Sequence, residues 1–410
     1  AQEIIERCEG KPGVIEENKK PAKQAPPQLF DLTTLQREAS SKFGFSARNT
    51  LGIAQSLYER HKLLTYPRTD SKCLPEDYID TISKHISGFA NSISSASLEQ
   101  QIIDSSSKVI NNKWIKPNKR IFNNAKISDH FAIVPTGKVP TAALKEQEQK
   151  IFDLVTKRLI AIFFPSAEFE TTRRITRIEN DSFLTTGKVL VKPGYLEVYG
   201  RKPGVATEKN ELIPAETGDK AQTSNIEIIA EETKPPARFN EATLLGAMET
   251  AGKRIDDEEL KDAMKERGLG TPATRAAIIE GLIAHKYLFR HEQQKRDLVV
   301  SNKGLALMDL LDDIGIDALR SPEMTGDWEY KLKQMETGKL SREVFMEEIK
   351  NLTEEQRDVL VKIHKELNSV LLTALYNDMG GIRCLSVLEL QDLEDTMNRL
   401  QLQFNLKGIT

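Results

Sequence analysis

Cysteine is scarce in this chain. The three residues among 410 (Cys8, Cys73, Cys384) are far apart and never form a CxxC pair. That argues against a disulfide scaffold or a zinc ribbon, and it suits a reducing compartment. Long apolar runs are missing too: nothing approaches the roughly 20 residues that span a bilayer. The opening AQEIIERCEG lacks the basic-then-apolar layout of a signal peptide. No membrane role is expected. There is no excess of positive charge, since 58 basic against 61 acidic side chains leave a formal charge of −3. This weakens indiscriminate nucleic-acid binding but permits a local basic groove. No internal repeat is visible.

What is present is an ordinary globular composition, 39% hydrophobic and 29% charged. The length calls for roughly two to four domains. Basic residues cluster locally at Lys113, Lys116, Lys119 and Arg120, and again at Arg173, Arg174 and Arg177. Either cluster could equally be a solvated face.

Residues 11–28, rich in Pro and Lys, read as an extended connection. Helices follow. Asp31 or Thr33 can cap the first, Gly44 ends it, and Ser46 opens the next. Pro75 and Glu76 begin another, and residues 91–111, with many Ser and Asn, read as a loop or weak helix. Ile151, Leu154, Val155, Leu159 and Ile162 then mark a strong helical face. The runs FETTRRITRI, SFLTTGKVLV, GYLEVYG and NIEIIAEETK predict strands. From 237 onward the pattern is helical again. Helical, β, helical in sequence predicts a multidomain α+β protein rather than one alternating sheet.

Three short words carry chemistry. In LLTYPRTDS, a phenol near ~10 in pKa is a poor nucleophile without a cation or base. It is also a fair leaving group, so a phosphotyrosine bond can be reversed. Arg68, two residues after Tyr66, could offer a bidentate fork to a phosphate. In ISDHFAIVPT, His130 could orient or protonate a phosphate oxygen. In GLGTPATRAAII, Thr271 can cap a helix with Pro272 at its first position, and free amides there attract anions. Thr274 and Arg275 add a hydroxyl and a guanidinium. Arg238 and Glu241 stand at the mouth of a helix upstream, and HEQQKRDLVVSNKG fits a hairpin, as in a winged helix. Each word alone would also suit a buried tyrosine, an interior histidine or a well-capped structural helix.

Together and in this order, TYPRTDS, SDHFAIVPT and GLGTPATR resemble the type IA DNA topoisomerases, and in wording bacterial topoisomerase III. The resemblance spans about residues 30–350. It implies that Tyr66 attacks single-stranded DNA and keeps a 5′-phosphotyrosyl link while another strand passes. It implies Arg68 on the scissile phosphate, His130 as an active-site DNA contact, and Thr271, Thr274, Arg275 and Arg238 in a strand-binding groove. The implied domains are a linker or arch remnant (1–27), a catalytic-tyrosine lid (28–163) and a β-rich arch (164–236). A winged-helix-like groove domain (237–350) and a helical tail (351–410) complete them. The setting implied is bacterial cytoplasm, at the nucleoid.

The family's N-terminal TOPRIM domain, with the acidic cluster that holds magnesium, is not found. The runs Asp256–Glu259 and Asp392–Asp395 lie in helical patterns with the wrong spacing. Magnesium is therefore expected for a full-length enzyme, with no ligand in this chain. The chain is expected to bind single-stranded DNA weakly and not to relax supercoils without the missing N-terminal portion. A non-catalytic single-stranded-DNA-binding module is the alternative; recombinase or relaxase chemistry fits less well, for want of an HxH pair. The tail reads as two helices that pack on the body or bind a protein partner.

Overall fold

The computed structural model describes residues 1–93, 98–141, 143–202, 212, 215–251, 268–291, 296–313, 322–354, 357, 358 and 361. The chain divides into two compact units, Ala1–Ala306 and Leu307–Thr410. Both helices and sheet occur in the first.

A helical body fills residues 30–164. Its helices are α2 (Leu32–Phe43), α3 (Ala47–Glu59), α4 (Ile79–Ala90), α5 (Gln100–Asn111) and α6 (Glu146–Ala161). Local chemistry sets the ends. Asp31 caps α2 by accepting from the Thr34 N–H at 2.7 Å, Gly44 ends it in the left-handed region (φ 71°), and Ser46 caps α3. The apolar faces meet in one core containing Phe30, Leu35, Leu57, Ile82, Phe89 and Phe152, all fully buried. Each such side chain contributes roughly 1.5–3 kcal/mol relative to exposure.

The first unit also holds an antiparallel sheet in the order β3–β2–β1–β4. Its strands are β1 (Pro12–Gln24), β2 (Ala167–Ile178), β3 (Asp181–Lys192) and β4 (Lys220–Gln222). A short helix α1 (Gln2–Cys8) precedes β1, and Arg7 holds Asp181 at 2.8 Å. β1 pairs with β2 from Val14 opposite Arg177 to Gln24 opposite Ala167. The three-residue β4 covers only Pro12–Val14 of the other side of β1.

Smaller elements complete the first unit: α7 (Glu241–Glu249), α8 (Pro272–Ala284), and a hairpin of β5 (Leu288–Arg290) with β6 (Leu298–Val300). Their core is Leu245, Ala276, Ile279 and Leu298, joined by Ala47 from α3. Helix α9 spans Asn302–Asp313, and the second unit contains α10 (Pro322–Glu336). There Trp328 meets Phe345 edge-on, and Lys331 holds Asp327 and Glu348.

Several expectations need correction. The stretch 11–28 is largely strand β1, not a connection. Its Lys and Pro residues obscured the alternation, and its outer edge is bonded at Lys11, Ile15 and Glu17 to residues 217–223. Residues 100–111 form the regular helix α5, because Ile102, Ile103 and Val109 share a buried face with the small Ser105 and Ser106. GYLEVYG is a 3₁₀ turn (Gly194–Tyr199) with left-handed glycines at both ends (φ 48° and 76°), which interrupt an extended backbone. Residues 225–234 alternate like a strand but are irregular, with no strand partner among the described residues. Cys8 and Cys73 are free and buried. Cys384, the acidic runs 256–259 and 392–395, and nearly all of the helices expected over 351–410 lie outside the described residues. Among the described residues no helix is long and apolar enough to cross a membrane.

Candidate active site

The loop that follows α3 is pinned along its length, and this gives Tyr66 a defined place. Lys62 takes the left-handed region (φ 55°) and turns the chain, letting the Leu63 N–H donate to Leu57 O at 2.8 Å. Leu63–Thr65 then lie antiparallel to Val134–Thr136. The Thr65 N–H donates to Val134 O and the Thr136 N–H to Leu63 O, each at 2.9 Å. The Thr65 hydroxyl adds a clamp, donating to Ala132 O at 3.0 Å and accepting from the Val134 N–H at 2.9 Å. Leu63, Leu64, Ala132, Ile133 and Val134 are buried beneath. TYPRT and DHFAIVPT, some 60 residues apart in sequence, therefore form one short two-stranded ledge.

On that ledge Tyr66 stands half-buried, and its ring meets His130 at 4.4 Å between centroids, with Tyr58 of α3 edge-on at 5.4 Å. His130 is exposed. Arg68 is exposed as well, lying along α3. With the Gln55 amide turned so that its oxygen faces the guanidinium, that oxygen accepts from Nε at 3.2 Å and Nη2 at 3.0 Å. Pro67 is buried between the half-buried Tyr66 and the exposed Arg68. Phenol, guanidinium and imidazole thus share one edge of the body.

Thr69 is the buried joint of this edge. Its hydroxyl donates to His130 O at 2.7 Å and accepts from the Ser71 N–H at 3.0 Å, and its carbonyl receives the Leu32 N–H at 3.0 Å. The first turn of α2 is thereby fixed to the Tyr66 loop. Asp70 accepts from the Ser128 hydroxyl at 2.9 Å, a second tie between the two segments.

A charged cluster lies beside α2, where it meets α7 and α8. Lys72 reaches Asp31 at 3.2 Å and Glu249 at 3.4 Å, and Glu249 also faces Arg37 at 3.6 Å. Burial opposes the Lys72 charge, but Asp31 and Glu249 outweigh it and hold the ammonium above its ordinary value. Glu241, the first residue of α7, is 4% exposed. Its carboxylate accepts from the Ala47 N–H at 2.8 Å at the start of α3 and also from Arg290.

The start of α8 divides in two. Thr271 and Thr274 are exposed, with the Thr271 N–H donating to the Thr274 hydroxyl at 3.0 Å. Arg275 is 3% exposed and points inward, its Nε donating to Leu269 O at 3.0 Å and its Nη1 to the Thr33 hydroxyl at 3.1 Å. Gly268 makes this approach feasible: its φ is 62°, and a Cβ there would stand 2.3 Å from Met248 O. Arg238 is exposed just before Phe239, whose carbonyl receives the Leu298 N–H at 2.7 Å.

The structure therefore brings Tyr66, Arg68 and His130 together, ties Arg275 to α2, and leaves Thr271, Thr274 and Arg238 at the surface. Thr69, Gln55, Tyr58, Lys72 and Glu249 were not singled out from sequence. Lys72 and Thr69 stood within or beside the TYPRTDS word, whereas Gln55 and Glu249 carried no local signal. Among the described residues no group of three or more His, Cys, Asp or Glu could hold a metal ion.

A protein family described as DNA topoisomerase matches residues 1–347. DNA topoisomerase 3 of Bacillus cereus is 42% identical over 351 residues, covering 83% of this chain and 46% of the relative. DNA topoisomerase 3 of Bacillus subtilis is 35% identical over 390 residues, covering 93% of this chain and 50% of the relative. Full-length topoisomerase I from Thermotoga maritima has a similar fold, with a TM-score of 0.62 at 24% identity over 87% of this chain and 54% of that one. The chain spans about half the length of the curated relatives it matches.

Proposed function

Because this chain belongs to the DNA topoisomerase family, we propose that it is the tyrosine-bearing part of a type IA, topoisomerase III-like enzyme. The substrate is single-stranded DNA, and the outcome is a change in DNA topology. The observation that carries this reading is the single edge on which Tyr66, Arg68 and His130 stand.

The chemistry follows from these groups. The Tyr66 phenolic oxygen attacks a backbone phosphorus while its proton leaves. The bond from phosphorus to the 3′ oxygen breaks, and that oxygen takes up a proton to become a 3′-hydroxyl. The 5′ end remains on Tyr66 as a phosphodiester, so the reverse attack by the 3′-hydroxyl reseals the strand. Arg68 can release Gln55 and turn its fork to a non-bridging oxygen, where charge accumulates. His130, against the Tyr66 ring, is placed to donate to the same phosphate.

We assign residues 28–163 to a lid that lifts with the covalently held end, and the sheet, with β1 added to 164–236, to an arch. Residues 237–350 form the groove domain, in which Thr271, Thr274 and Arg238 contact the strand. Magnesium fits none of the described residues, so no step above runs through it. We assign its ligands to a TOPRIM portion within the half of the relatives that this chain does not match. The working location is bacterial cytoplasm, on the nucleoid.

The test is covalent capture of single-stranded DNA by the chain mixed with the N-terminal portion of a relative. A denaturation-resistant band is expected with wild type and none with Tyr66→Phe. A band that survives Tyr66→Phe would refute the nucleophile. No band under any condition would leave a single-stranded-DNA-binding module without chemistry.

A further inference from the structure

Arg275 differs from its neighbours at the start of α8. Thr271 and Thr274 face solvent, whereas the Arg275 guanidinium is buried and directed at α2. A side chain that holds DNA phosphate must present its fork to the strand. This fork is turned inward, with Nε on Leu269 O and Nη1 on the Thr33 hydroxyl. Glu249, Asp31 and Asp70 surround it with negative charge, which suits a buried cation and would repel a phosphate.

Beyond Thr33 the contacts continue without a gap. Thr33 lies in the first turn of α2, next to Leu32, whose N–H donates to Thr69 O at 3.0 Å. Thr69 gives its hydroxyl to His130 O at 2.7 Å, and His130 lies against Tyr66. We infer that Arg275 is a positioning residue rather than a strand contact: it fastens the DNA-facing start of α8 to the first turn of α2, and through Thr69 it sets where His130 stands against Tyr66. The planar fork matters, because its separate nitrogens hold the carbonyl and the hydroxyl at fixed positions and angles, a geometry that the single nitrogen of an ammonium does not reproduce. The functional meaning rests on Tyr66 being the nucleophile, but the coupling can be read without any cleavage.

The experiment uses the whole chain with ¹³C-labelled histidine, the His130 signal being assigned with His130→Gln. Ring shielding by Tyr66 makes this signal a gauge of the Tyr66–His130 contact. Arg275→Lys and Thr33→Val should each move it, the double variant should move it no further, and the His61 and His285 signals should stay in place. A role confined to general stability would lower the melting temperature and leave the His130 signal unchanged. In parallel, the salt dependence of single-stranded DNA binding is compared between wild type and Arg275→Gln. An unchanged slope is expected, whereas a phosphate contact would flatten it by about 0.7. A flattened slope, or a His130 signal that does not move in Thr33→Val, overturns the inference. If Arg275→Gln fails to fold or the chain binds no DNA, Thr33→Val, which loses only one hydroxyl, decides alone. Failure of covalent capture at Tyr66 would refute the proposed chemistry without touching this coupling.

Discussion

Replacing Glu241 by alanine should cost the fold about 3 kcal/mol, although Glu241 lies on another element than the helix that loses most. Its carboxylate accepts from the Ala47 N–H at 2.8 Å, in a site where Ala47 is 2% and Glu241 4% exposed. Leaving that amide buried and unbonded forfeits a charge-assisted hydrogen bond worth ~1.5–3 kcal/mol. Removing a negative charge from the start of α3 forfeits roughly 0.3–1 more. Arg290, 39% exposed at its side chain, can return to water, so its pairing adds about 0–1 kcal/mol. Because the unfolding entropy scales with the size of the first unit, Ala1–Ala306, the expected fall in melting temperature is roughly 4–6 °C, followed by far-UV circular dichroism. Ala47→Pro gives a sharper check of sign. Ala47 is the first residue of α3, where proline is favoured, and Ser46 before it is already extended (φ −68°, ψ 158°). Backbone rules alone therefore give a gain of about 0.4–1 kcal/mol. The Glu241 contact reverses that, because a ring carbon would replace the donor beside a buried carboxylate. Ala47→Pro should destabilise, and Ala47→Pro with Glu241→Ala should be no worse than Glu241→Ala alone. A stabilising Ala47→Pro, together with a Glu241→Ala cost under ~0.5 kcal/mol, would show that the contact carries nothing.

Burial pushes the Asp153 carboxyl on α6 up to about 6, more than Gln149, donating to it at 2.8 Å, can lower it. A raised carboxyl favours the fold when protonated, so this contribution is complete below pH ~4 and lost as pH rises through about 6. Asp153→Asn should accordingly raise stability by about 1–2 kcal/mol at pH 7.5 and by nothing at pH 4, in paired urea melts. Tyr66→Phe keeps the ring contacts with Tyr58 and His130, so its melting temperature should match wild type even though capture of DNA is lost. Gly268→Ala places a methyl 2.3 Å from Met248 O at a left-handed position and should cost ~1–3 kcal/mol in a thermal melt.

The sequence was most informative where structure is set within a few residues. Asp31, Gly44 and Ser46 act on their own helix ends, and all three could be placed from local chemistry. Helix α5 was harder, because Ser105 and Ser106 are buried as small fillers while their composition suggests a loop. Residues 194–200 and 225–234 carry strand-like composition, but a strand exists only where a partner edge does, and that depends on distant chain. The candidate site divides in the same way. The words around Tyr66 and His130 could be found, and their pairing across the ledge agrees with their apolar spacing. The supports could not. Glu241 could be placed at a helix start, but its partner Ala47 is 194 residues away, and Glu249 does not differ in local context from any surface glutamate.

Strand β1 has a consequence for how the chain folds. Gln24 faces Ala167, so everything between them leaves the sheet and returns at the same rung. Pairing β1 with β2 first would mean closing a loop of roughly 140 residues with no reward until the end. Once the helical body has folded, its two ends are neighbours and the same pairing becomes a local event. During synthesis β1 must therefore wait, made but without its partner, until β2 follows. Lys19, Lys20, Pro21 and Lys23 suit that interval, because charge and a missing amide discourage a lone strand from joining other chains. The composition that makes β1 look like a connection is what keeps it harmless until the helical body is complete.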